Sequence, residues 1–81
     1  MADTATGAKV LDLRGLLCPL PVVKIAQAIK AVAVGETVEA VATDPGVLAD
    51  IPAWARSTGN ELVVMEKRED KSFRFVVKRV K

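Results

Sequence analysis

The residue best suited to chemistry in this sequence is its single cysteine, Cys18, set in Gly15-Leu16-Leu17-Cys18-Pro19-Leu20-Pro21. Proline is favoured in the first turn of a helix, where its missing N–H would find no partner anyway, so Pro19 and Pro21 place Cys18 at or near an N-cap. A helix N-terminus presents free amides and about half a positive charge, and both favour a thiolate over a thiol. The spacing therefore predicts a nucleophilic sulfur with a depressed pKa. A lone cysteine is commonly a small buried hydrophobe, but the two prolines argue for an exposed one.

With no histidine in the chain, a Cys-His dyad is excluded and no imidazole is available to a metal. Amide hydrolysis needs an acid to protonate its leaving group. Transfer of sulfane sulfur does not, because one thiolate displaces another as in disulfide exchange. No metal and no bound cofactor is required. A redox sensor would need a resolving thiol, and there is no second cysteine to supply it.

Gly15 permits the turn that leads into this segment, and Pro19 and Pro21 shape it. Arg14 and Lys24 are the cations nearest in sequence that could support an anionic sulfur. Asp44, in Asp44-Pro45-Gly46, is suited to capping a turn, and it becomes a neighbour of Cys18 if the strands before the two segments run parallel.

The elements that must position these residues are legible in the pattern. Val10 to Arg14 alternates apolar and polar residues, the period of a half-buried strand. From Pro19 to about Ala33, Val22, Ile25, Ala26, Ile29 and Val32 recur at helical spacing, with Lys24, Gln27 and Lys30 on the wet side and Gly35 placed to close the helix. Thr37 to Thr43 is β-branched and reads as a second strand. Pro52 would disrupt a helix begun at Pro45, so a short turn is expected at 45–49, with the main helix capped by Asp50 and running to Thr58. Leu48, Ile51 and either Trp54 or Ala55 form its buried side. Glu61 to Arg68 and Phe73 to Val80 make an antiparallel hairpin around the turn at 69–72, and Phe73 and Phe75 face the core.

The order βαβαββ predicts an α/β (α+β) two-layer sandwich, with two helices on one face of a four-stranded mixed sheet. Strand alternation puts Val63, Met65 and Val76 on the open face among Arg74 and Lys78. Residues 1–8 read as a flexible N-terminal tail and 9–81 as a single domain.

With 81 residues, 51% of them hydrophobic and 27% charged, the composition is that of one ordered domain with room for a modest core and no deep cleft. A net charge of +2 is too small to make nucleic acid the main partner. Seven of the twelve cations lie at 67–81, where they read as a solvated sheet face. No apolar run is long enough to cross a membrane, and the expectation is a cytoplasmic protein that is a monomer or weak dimer.

At these residues the chain resembles the TusA/SirA-like sulfur-carrier family. The match runs from about Lys9 to Lys81 through Leu11-Asp12-Leu13-Arg14-Gly15, Cys18-Pro19-Leu20-Pro21, Thr43-Asp44-Pro45-Gly46, Asp50-Ile51-Pro52-Ala53-Trp54 and Gly59-Asn60-Glu61-Leu62. The resemblance implies a persulfide on Cys18, a cysteine desulfurase or rhodanese-like protein as sulfur donor, and a downstream acceptor protein serving tRNA thiolation, sulfur oxidation or cofactor synthesis. Well-known tRNA-thiolation members carry a basic residue before the cysteine and an acidic one between the prolines. Leu17 and Leu20 stand there in this chain, which bears on partner choice more than on chemistry. The competing reading is a non-enzymatic interaction module in which Cys18 does not matter.

Overall fold

A computed structural model describes residues 9–81; the tail expected at 1–8 lies outside the described residues. The element order is β1 (Lys9–Leu13), α1 (Leu20–Ile29), β2 (Thr37–Ala42), α2 (Val47–Thr58), β3 (Glu61–Lys67) and β4 (Phe73–Lys78). The strands form one sheet in the order β1-β2-β4-β3. β1 and β2 run parallel, whereas β4 is antiparallel to both of its neighbours. Both helices pack on one face, so the expected two-layer architecture is the observed one.

Period-two alternation explains which face is covered. On β2, Val38, Ala40 and Ala42 are buried, and on β4 the same holds for Phe73, Phe75 and Val77. Ile25 and Ile29 from α1 and Val47 and Ile51 from α2 close the core against them. Burying side chains such as Phe75, Ile25 and Ile51 contributes roughly 1.5–3 kcal/mol each. The opposite face carries an ion-pair row in which Arg74 meets Glu39 at 2.7 Å and Glu66 at 3.4 Å.

The pairing of β3 corrects one expectation. Leu62 lies opposite Val77, but Val64 lies opposite Val76 and Met65 opposite Phe75, because a bulge falls between Leu62 and Val64. An extra residue in one strand reverses the phase of everything beyond it. Met65 is thereby moved from the open face to the core side, where it packs against the buried cluster, while Val63 stays exposed.

Both helices also differ from the pattern at their ends. α1 stops at Ile29 rather than Ala33. The carbonyls just after it are taken by the Arg79 guanidinium, at 2.6 Å from the Val32 oxygen and 3.5 Å from that of Lys30. The Gly35 N–H donates to the Arg79 carbonyl instead of to the helix. α2 begins at Val47, not at Asp50, so the turn expected at 45–49 is its first turn and Pro52 sits inside it. The proline costs only the bond that its N–H would have made to the carbonyl of Leu48, an exposed residue. The start at Val47 also rotates the buried side to Val47, Ile51 and Ala55 and leaves Leu48 outside. Trp54 is half-buried and packs against the core.

Candidate functional site

Parallel neighbours send the loops that follow them to the same sheet edge. The segments after β1 and β2 therefore meet, although 26 residues separate Cys18 from Asp44. Gly15 turns the chain with φ at +84°, a region glycine enters without a Cβ clash, and its N–H donates to Thr43 Oγ1 at 2.9 Å. Asp44 then holds both segments. Its Oδ2 accepts the Cys18 backbone N–H, and its Oδ1 accepts that of Gly46 at 3.1 Å. Gly46 is close enough that a Cβ built there would lie 3.5 Å from the Cys18 Cβ.

The thiol itself points to α2. Cys18 Sγ donates to Asp50 Oδ2 at 2.6 Å, one turn into the helix. Cys18 remains exposed, as do Leu17 and Leu20 beside it in sequence and Leu48 on the first turn of α2. Beside this platform is a hollow of about 430 Å³ lined by Thr43, Pro45, Leu48, Lys67, Lys71 and Phe73. β3 runs in the same direction as β1 and β2, which brings its far end, Lys67, to this edge too.

These contacts reverse the expected electrostatics. The Cys18 pKa is raised above the ordinary 9.0, first by the hydrogen bond to Asp50, then by desolvation and by the charges of Asp50 and Asp44. A hydrogen bond donated by the thiol favours its protonated form, and nearby carboxylates disfavour an anion. The backbone amides nearest the sulfur in sequence are not directed to it. Pro19 and Pro21 have no N–H, the Cys18 amide is spent on Asp44, and the Leu20 amide donates to the Leu17 carbonyl at 2.8 Å. α1 also begins at Leu20 with Pro19 as its cap, so Cys18 precedes the helix.

The residues singled out from sequence thus separate into two groups. Asp44 bonds the Cys18 backbone, and Gly15, Pro19 and Pro21 lie within three residues of it along the chain, with Pro21 buried. Arg14 is not turned to the sulfur: its Nε and a terminal nitrogen grip the Asp12 carboxylate at 2.8 and 2.9 Å. This pair holds Asp12 at about 2, below its ordinary 3.8. Lys24 lines a groove with Leu11, Leu13, Leu16 and Gln27 along β1 and is absent from the groups that shift Cys18. The sequence pattern gives Asp50 only the place of a helix cap. The signal for its position is the helix start at Val47, which Pro52 obscures. Among the described residues, no group of three or more potential ligands is arranged to hold a metal ion, and no helix is long and apolar enough to cross a membrane.

The arrangement has counterparts in known proteins. The family model described as sulfurtransferase TusA matches residues 9–79. The sulfur carrier protein TusA of Allochromatium vinosum is 41% identical over 69 residues, covering 85% of this chain and 90% of its own. A relative from Archaeoglobus fulgidus is 47% identical over 73 residues, with 90% and 95% covered. The crystal structure of a SirA-like protein from Desulfitobacterium hafniense superposes with a TM-score of 0.78 over 89% of this chain and 97% of that one. At 15% identity that likeness speaks for the fold alone, and it is the same mixed-sheet sandwich. On the sequence match across the whole sheet and both helices, the chain belongs to the TusA sulfurtransferase family.

Proposed function

We propose that this protein is a sulfur carrier in which Cys18 holds sulfane sulfur as a persulfide, receives it from a cysteine desulfurase or a rhodanese-like protein, and yields it to an acceptor protein. The observation that carries this reading is one exposed sulfur, fixed at the rim of the sheet by Asp44 and Asp50, in a chain with no other cysteine and no histidine. An exposed platform suits a thiol that must be reached by a second protein's sulfur, whereas a hydrolase would need a cleft around a small substrate. The charge carried is covalent, so no cofactor is required. tRNA thiolation, sulfur oxidation and cofactor synthesis are the routes such a carrier serves in the cytoplasm. The exposed Leu17 and Leu20 give its partners an apolar surface to meet beside the sulfur.

The test is mass spectrometry after incubation with a desulfurase and cysteine, or with a rhodanese and thiosulfate. The expected result is addition of one or more sulfur atoms, lost on reduction and absent from Cys18→Ser. An unchanged wild-type mass under conditions where the donor is active would refute the proposal. The competing interaction-module reading requires Cys18→Ser to keep both partner binding and biological function. That reading would place its partner on the open face, where the ion-paired Arg74, Glu39 and Glu66 stand.

A further inference from the structure

The proton on Cys18 has a defined neighbour. Sγ donates to Asp50 Oδ2 at 2.6 Å, within the reach required of a base that takes a proton in a reaction. Among the described residues the other candidates near it are engaged: Asp44 is occupied by the Cys18 and Gly46 amides and Arg14 is held by Asp12, while the chain has no histidine. α2 fixes Asp50 by its backbone, and Cys18 is fixed through its own N–H, so donor and acceptor belong to two separately anchored segments. Asp50 is half-buried while Cys18 is exposed, which leaves the outward side of the sulfur open to an incoming group.

On the carrier reading above, we infer that Asp50 is a catalytic residue, the base that takes the Cys18 proton during sulfur loading and returns it to the departing thiol. Cys18 Sγ attacks the terminal sulfur of a donor persulfide. The new Sγ–S bond forms as the donor's own S–S bond breaks, and the electron pair of that bond leaves on the donor's inner sulfur as a thiolate. The Cys18 proton passes to the Asp50 carboxylate and from there to the departing thiolate, the stronger base. One sulfane sulfur has moved, nothing has been oxidised or reduced overall, and no further reactant is needed. Unloading to an acceptor thiol is the same sequence run backwards, with Asp50 handing a proton to Cys18 as it departs. This relay makes sense of a thiol whose surroundings oppose spontaneous ionisation: the sulfur becomes a nucleophile when an acceptor for its proton and a donor persulfide are both present.

The experiment compares wild type, Asp50→Asn, Asp50→Glu and Cys18→Ser, each checked for folding by circular dichroism. Loading by cysteine persulfide is followed between pH 6 and 10.5 by alkylation quench and mass spectrometry. General-base catalysis is worth about 100-fold or more when fully expressed, and a carboxylate facing a thiol expresses part of it. The expected result is loading about 10- to 100-fold slower in Asp50→Asn at pH 7, a deficit that closes toward pH 10 as thiolate forms unaided, and partial recovery in Asp50→Glu. Loading of Asp50→Asn at or above the wild-type rate at pH 7 would overturn the role, since a carboxylate that merely suppresses ionisation slows the reaction. A wild type that takes up no sulfur at any pH overturns the carrier reading itself, a failure visible before any Asp50 variant is compared.

Discussion

The carboxylate of Asp44 accepts the backbone N–H of Cys18 from across the site, and its second oxygen accepts that of Gly46 at the head of α2. One side chain thus ties the loop after β1 to the helix after β2. Replacing it with alanine leaves two amides without their charged acceptor, a loss of about 1–3 kcal/mol. For a domain of this size each kcal/mol lowers Tm by roughly 4–8 °C. Thermal unfolding of Asp44→Ala should show a drop of that order, together with slower sulfur loading at Cys18. A Tm within about 2 °C of wild type, on the same scale, would mean that Asp44 does not join the segments.

The bulge in β3 makes a prediction that plain alternation contradicts. Val63 and Met65, two residues apart, would share a face in a regular strand, yet Met65 sits opposite Phe75 and Val63 is exposed. Val63→Asp should change stability by no more than about 0.5 kcal/mol. Met65→Asp sets a charge beside the buried Phe75 ring and should cost about 3 kcal/mol or more. Urea unfolding of the two variants decides the register, and equal midpoints would restore the unbulged strand.

The wild-type thiol should react with iodoacetamide along a pH profile whose midpoint lies above 9.0, because Asp50, desolvation and Asp44 all raise the Cys18 pKa. The linked effect on stability has a definite sign. The folded chain holds this proton more tightly than the unfolded one, so the contribution is complete below pH 9.0 and is lost as pH rises through the higher folded value. A midpoint at or below 9.0 would return the site to a thiolate favoured by the helix terminus.

Arg14 offers the converse test. Asp12 is held at about 2 by the hydrogen bonds from Arg14, so its carboxyl resonance in an NMR titration should have a midpoint near that value and move toward 3.8 in Arg14→Ala. Here the stabilising contribution is present above 3.8 and disappears as pH falls through about 2. Sulfur loading of Arg14→Ala at pH 7 should match wild type. A pronounced loss would assign Arg14 the supporting role that its sequence position suggested.

What the sequence made legible follows from how local each cause is. Alternation in Thr37–Ala42 and Phe73–Lys78 set the buried face, and the two prolines after Cys18 marked a helix start with the sulfur just before it. The meeting of Cys18 with Asp44 followed from parallel strands, a rule of chain direction. The rest depended on distant partners. Arg79 ties down the turn after α1 from 47 residues away through the Val32 carbonyl, and no local window contains that contact. The β3 bulge arises in pairing with β4. Pro52 marks a helix boundary in the local pattern because an interior proline is costly, but the exposed turn at Leu48 tolerates the missing bond, and the true start at Val47 is what brings Asp50 to the sulfur.

The two bonds that define the sulfur's surroundings span 26 and 32 residues of chain, so they exist only once β1, β2 and α2 have assembled. A nascent or partly denatured copy therefore displays an ordinary cysteine, more acidic than the mature one and without its proton acceptor. Cargo-handling character is acquired at the moment of tertiary assembly, and the alkylation profile of this one atom reports whether a given molecule has completed its architecture.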